Sequence, residues 1–420
     1  MVSIAAGRGD SVRRGRMLPL EALRGVAAIV VVAHHFVQSF VPRLQGPNLL
    51  ELGPAWLVGT PLELFLNGPA AVIVFYAITG FVLTTRAFAD DEVRLLPVAA
   101  KRWPRLAGPV LVAVLFSYAL FVMGMYQHRE AGALNHSVFL GTFFDQMAAS
   151  PPGTVFEPSF WGALFEGSIG TFLYQQKTYD PVIWMVHTEW MGSLVAVLFA
   201  ADLRGLVGPR ILRIPLRFVL VLAAVFYPAF FGGVVVARLF ALGRLRLPRG
   251  AGLVSGAVAL YLLGAASPWG VYAWVAPGPN GGLFVLVRGM AHAVGAILLL
   301  VALLGTVWSW AVFRGRVSRL LGMISFPLFL VHLLVFGSVG ARTYLAMKEV
   351  GAHEAVAVFV TLVASLAACV PLVWALARFD VWWVAVVNRT VERLWPARAP
   401  RGVRASEERP AEAVAAGDRG

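Results

Sequence analysis

Two side chains in the first apolar stretch, residues 18–36 (LPLEALRGVAAIVVVAHHF), could do chemistry inside a membrane: Arg24 and His35. On a helix their eleven-residue separation offsets them by only about 20° and sets them roughly 16 Å apart along the axis. His34 is offset from Arg24 by about 80°, so of the two adjacent histidines only His35 shares the arginine's face closely. Ionisable groups are costly in hydrocarbon and turn toward a bundle interior or a wet cavity. A cation at one boundary can hold an anionic group, and an imidazole half a bilayer deeper can abstract a proton near neutral pH. Taken alone, the helix is equally consistent with Arg24 as a headgroup anchor and His35 as a packed core histidine.

The elements that must position these groups follow from composition. The chain has 420 residues, 59% hydrophobic and 14% charged, whereas a soluble domain carries about 25% charged residues. This is the composition of a polytopic membrane protein. The net charge of +13 could suggest nucleic acid, but the charges alternate with apolar runs, as in cytoplasmic loops at anionic lipid. The lone Cys369 excludes an intramolecular disulfide and a cysteine-based metal cluster, and it reads as packing.

The predicted fold is an all-α transmembrane bundle of about ten spans with both termini cytoplasmic. The spans fall near 19–41, 68–86, 106–126, 181–201, a tight pair within 218–241 broken at Tyr227-Pro228, 251–266, 283–304, 320–339 and 354–375. In this topology all but six of the 35 Lys and Arg lie on the cytoplasmic side; the exceptions are Arg43, Arg129, Lys177, Arg288, Arg342 and Lys348. Residues 1–18 read as a disordered basic start, 19–377 as the membrane domain with an outer loop at 127–180, and 378–420 as a mostly disordered cytoplasmic tail.

Four further motifs carry candidate chemistry. Lys101-Arg102-Trp103-Pro104-Arg105 precedes the third span; Arg102 and Arg105, at i and i+3, can present two guanidinium forks to one phosphate-bearing ligand. Val74-Phe75-Tyr76-Ala77-Ile78-Thr79-Gly80-Phe81 reads first as close helix packing through small residues. Trp184-Met185-Val186-His187-Thr188-Glu189, followed by Gly192-Ser193, brings a carboxylate to about the depth of His35, where it could orient the imidazole. Gly322-Met323-Ile324-Ser325-Phe326-Pro327-Leu328-Phe329-Leu330-Val331-His332 brings a further histidine to that layer. His292 reads as a core histidine bonded across helices. No Gly-x-Ser-x-Gly elbow, phosphate loop or His-Glu-x-x-His is present.

In order along the chain these patches resemble the membrane acyltransferase-3 family. Glu21-Ala22-Leu23-Arg24-Gly25 with His35 resembles its first helix, Glu21 and Ala22 standing for the usual Asp and Gly. Arg102-Trp103-Pro104-Arg105 matches its Arg-x-x-Arg motif. Phe75 to Phe81 resembles its Phe-Phe-x-x-Ser-Gly-Phe helix with Thr79 for Ser, and Trp184 to Glu189 its Leu-Trp-Thr-Leu-x-x-Glu helix. Gly322 to His332 is similar to its Gly-x-x-Ser-Tyr-x-x-Tyr-x-x-His segment, with Phe326 and Phe329 replacing both tyrosines.

The resemblance implies an integral-membrane O-acyltransferase of a bacterial inner membrane or plasma membrane. It would move an acyl group, most often acetyl, from cytoplasmic acyl-CoA to a hydroxyl of a carbohydrate or lipid-linked acceptor. Arg24, Arg102 and Arg105 would hold the donor, His35 would act as base and Glu189 would orient it. Trp184, Ser325 and His332 would bind substrate or support the site. Neither a metal nor a nucleic-acid partner is implied. The competing class is a proton-coupled transporter using the His/Glu layer; its hallmark of inverted repeats with paired broken helices is missing from the sequence.

Overall fold

The computed structural model describes residues 17–44, 57, 59–90, 94–142, 157–208, 210–266, 270–272, 282–306, 311, 313 and 315–396. The disorder expected of 1–16 and of the tail beyond 396, and the middle of the outer loop at 143–156, lie outside these residues. The described structure is helical, with no strand among the described residues.

Among the described residues ten principal helices, numbered in chain order, fall at the expected apolar segments: α1 Leu18–Phe40, α2 Gly68–Ala89, α3 Leu95–Val122, α4 Trp184–Leu203, α5 Arg210–Phe226, α6 Pro228–Ala241, α7 Arg249–Leu263, α8 Gly282–Gly305, α9 Arg316–Val335 and α10 Glu354–Leu394. Seven are long and apolar enough to cross a membrane: α1, α2, α3, α4, α8, α9 with its continuation, and α10. Helices α5 and α6 meet at 112° across Tyr227, where Pro228 lacks the N–H that a continuous helix would need. Phe230 of α6 lies against Gly192 of α4, Phe199 stacks 4.6 Å from Phe231, and Leu203 shares a cleft with Val235 and Leu242. So α4 and α6 run parallel, and α5 must carry the chain back between them. The chain therefore turns back on itself at Tyr227-Pro228, where the sequence places the break.

Two boundaries differ from expectation. Helix α3 begins at Leu95, not near 106, and continues through Pro104 and Pro109. The Pro104 carbonyl accepts the Trp383 Nε1–H at 2.7 Å. Helix α10 continues unbroken past 377 to Leu394, so the expected junction between domain and tail falls inside a helix docked on α3.

Helices α1 and α9 form the spine. Gly25 faces Leu321 so closely that a Cβ would sit 2.3 Å from the leucine Cβ, and at Gly322 it would sit 1.8 Å from Glu21 Oε2. Near the other end His35 meets His332. Contacts of 25 with 321 and 35 with 332 mean that the two helices run side by side in parallel, and the two glycines let them approach that closely.

Candidate active site

A cavity of about 820 Å³ opens between α1, α2, α3, α4, α9 and α10. Five arginines line it: Arg24 on α1, Arg86 at the last turn of α2, Arg102 and Arg105 on α3, and Arg319 on α9. Glu21, Glu189 and Asp380 supply its carboxylates. The three arginines singled out from sequence thus converge. Arg86 and Arg319, which no motif marks, join them. Asp380 falls in the segment expected to be tail; its neighbours Val384 and Asn388 also line the cavity, so the cavity wall continues past 377 on α10.

Within this set the roles divide. Arg102 is buried: its Nη2 donates to Glu189 Oε1 at 2.7 Å and its Nε to Ser193 Oγ at 3.0 Å. Thr79 Oγ1 donates to the same Glu189 oxygen at 2.6 Å. Thr79 is therefore a polar partner as well as a packing residue. Arg105, one turn on, is exposed to the cavity. Arg24 lies 4.0 Å from Glu21 Oε2, a loose pair one helical turn apart.

The expected contact between Glu189 and His35 is not made. Glu189 is drawn to Arg102 because a buried guanidinium demands a carboxylate. The partner of His35 is instead His332, with Nδ1 of His35 2.8 Å from Nε2 of His332. The network fixes the protons of the neutral rings. His332 Nδ1 lies 3.1 Å from the Leu328 carbonyl, which can only accept, so that nitrogen carries the hydrogen. His332 Nε2 is then a lone pair and accepts from His35 Nδ1–H, leaving the lone pair of His35 on Nε2. His332 is fully buried, whereas His35 is only half-buried.

The segment that follows α3 reaches this histidine pair. Phe139, in the short helix Val138–Gly141, stacks on His35 with centroids 5.4 Å apart and planes at 11°. The loop is tied to the end of α1 by Ser137 Oγ donating to the Gln38 carbonyl (2.6 Å) and Asn135 Nδ2 to that of Ser39 (2.7 Å). Phe139 escaped the sequence reading because nothing in an aromatic-rich loop marks which ring will meet the site. His34 points elsewhere: its Nδ1–H donates to the Leu66 carbonyl at 2.7 Å and its ring fills the space over Gly68.

The remaining expectations resolve as follows. Ser325 is buried and donates to the Gly322 carbonyl one turn back at 2.9 Å. Trp184 is 43% exposed at the start of α4 and is not among the residues lining the cavity. His292 is a core histidine whose Nε2 lies 2.9 Å from the Ala265 carbonyl, which can only accept its hydrogen, with Asn67 Nδ2 beside it at 3.2 Å. Cys369 is buried among apolar side chains.

Five arginines thus line the cavity at one end of the parallel α1–α9 pair, and the two imidazoles meet farther along the same helices. The family model described as an acyltransferase domain, acyltransferase-3, matches residues 19–378. The chain belongs to that family and is a multi-pass membrane acyltransferase. No curated protein and no solved structure matches it.

Proposed function

We propose that the protein is an O-acetyltransferase that takes acetyl from cytoplasmic acetyl-CoA and esterifies a hydroxyl of a carbohydrate or lipid-linked acceptor. The observation that carries this is the order of groups along α1 and α9. An arginine-lined cavity lies at their N-terminal ends and the His35–His332 pair lies deeper on the same two helices. Coenzyme A has the same polarity, with its phosphates at one end and the thioester at the other. The ten-crossing topology, with both termini and the arginines cytoplasmic, agrees with the distribution of Lys and Arg.

Arg24, Arg86, Arg105 and Arg319 bind the donor phosphates, guanidinium forks being suited to phosphate oxygens. Arg102 shapes the wall through Glu189. His35 Nε2 takes the proton of the acceptor hydroxyl as its oxygen attacks the thioester carbonyl. The C–S bond breaks, an ester forms, and the thiolate takes up the proton to leave as free coenzyme A. His332 is a positioning residue: it presents His35 in the tautomer whose Nε2 is basic and stabilises the imidazolium, the part a triad carboxylate plays elsewhere.

The test is purified protein with radiolabelled acetyl-CoA and a panel of cell-envelope glycans. Label recovered as an alkali-labile ester on a glycan is expected. Proton-coupled solute flux in liposomes without any acyl transfer would replace this reading by the transporter.

A further inference from the structure

The cavity does not run open to the histidines. On α2 its lining passes from Arg86 through Leu83, Thr79 and Ile78 and ends at Phe75; on α9 it passes from Arg319 through Met323 and Phe326 and ends at Phe329. These two last rings face each other edge to face, with centroids 6.4 Å apart and planes at 63°. Phe329 in turn lies 6.0 Å from the His332 ring, centroid to centroid. Both rings are buried, Phe75 at 7% and Phe329 at 2% exposure. The pair therefore stands between the arginine-lined space and the paired imidazoles, on the side of the cavity farthest from the arginines.

We propose that Phe75 and Phe329 form an aromatic aperture that selects the acyl group by its cross-section. The inference rests on the acyl-CoA reading above. A donor whose phosphates sit on the arginines presents its acyl end to the opposite wall, and that wall is this ring pair. From this cavity a thioester carbonyl approaches His35 by passing between the rings. Edge-to-face rings part by small rotations about χ2, for which an aromatic ring is a thin plate. A two-carbon acyl group needs little parting, whereas a branched or cyclic one needs the rings displaced against the close-packed helices behind them. The two rings sit on different helices, so either can be cut back alone. A hydrophobic site of this kind discriminates by about 10- to 200-fold per group that does not fit.

The test measures transfer rates with acetyl-, butyryl-, isovaleryl- and benzoyl-CoA for the parent, Phe329→Ala, Phe75→Ala and Phe329→Leu. Competition of each donor against labelled acetyl-CoA for binding is measured alongside. The parent is expected to prefer acetyl. Either alanine variant should raise the isovaleryl-to-acetyl and benzoyl-to-acetyl rate ratios about tenfold or more, while the affinity for acetyl-CoA changes less than about threefold, the arginines being untouched. Phe329→Leu should shift the ratios in the same direction by less, and it serves as the readout should an alanine variant fail to accumulate. Unchanged ratios in a parent that transfers acetyl would overturn the aperture alone. A parent that transfers from none of the four donors would overturn the acyl-CoA reading and the aperture with it.

Discussion

Arg102 and Arg105 belong to one motif, yet the structure requires their removal to have opposite consequences. Arg102 and Glu189 are 6% and 8% exposed and meet at 2.7 Å. Arg102→Ala leaves the carboxylate with Thr79 as its remaining hydrogen-bond donor. Stranding one member of a buried pair costs about 3–5 kcal/mol. The cavity lets some water in beside Glu189, which argues for the lower end, about 3 kcal/mol. Arg105 is exposed to the cavity, so Arg105→Ala should change stability by no more than about 0.5 kcal/mol. Its loss should instead weaken donor binding by about 1.5–3 kcal/mol, roughly 10- to 150-fold. The assay is unfolding of the detergent-solubilised variants followed by tryptophan fluorescence, with acetyl-CoA affinity measured on the same preparations. The double variant Arg102→Met/Glu189→Leu should regain most of the lost stability, because removing both charges removes the stranded one, and the cycle it forms with Arg102→Met and Glu189→Leu made singly should give a coupling of about 2 kcal/mol or more. Equal stability of the two single arginine variants, with coupling below about 0.5 kcal/mol, would refute the buried-pair account.

Three further outcomes follow. His332→Phe keeps a ring against Phe336 but removes the acceptor for His35 Nδ1–H; transfer should fall by about 10²-fold or more and the pH–rate profile should shift, whereas a purely structural histidine would leave its shape unchanged. Gly25→Ala should destabilise the protein by about 1–3 kcal/mol through overpacking against Leu321, measured by the same unfolding assay, with Ala27→Gly as a helix-propensity control. In the segment between α3 and α4, burial raises the carboxyls of Glu166 and Asp180 above their ordinary values. From the unfolded pKa near 4 upward the native state holds the extra protons, so this stability is present at acidic pH and is lost as pH rises through the raised native values. Limited proteolysis of the segment across pH 4 to 8 should show greater protection at the acidic end, and Asp180→Asn, which keeps the cap on Val182 N–H, should flatten the trend.

The helices and the arginine cluster were legible because they rest on local signals: apolar length, charge at helix ends, and the 3.6-residue period that lines Arg24 up with His35. The break at Tyr227-Pro228 was legible for the same reason. The partner of His35 was not legible. Glu189 and His332 both lie at its depth, and depth does not say which helix is the neighbour; the close approach at Gly25 and Gly322 decides for α9. Likewise Asp380 looked like tail because the charges after 377 resemble a membrane exit, whereas Trp383 and the Pro104 carbonyl hold that segment on α3. Thr79 looked like a small packing residue, and only the position of Glu189 reveals its hydroxyl as a donor.

The central claim is that His35, and not its neighbour, removes the acceptor's proton. His35→Ala and His34→Asn are compared in membranes holding matched amounts of protein, by transfer of labelled acetyl from acetyl-CoA to the native acceptor. Asn at 34 can still donate to the Leu66 carbonyl that His34 Nδ1 serves. The account predicts that His35→Ala lowers the rate by about 10²- to 10⁴-fold with donor affinity unchanged, while His34→Asn stays within a few-fold of the parent. Transfer by His35→Ala at the parent's rate would contradict it.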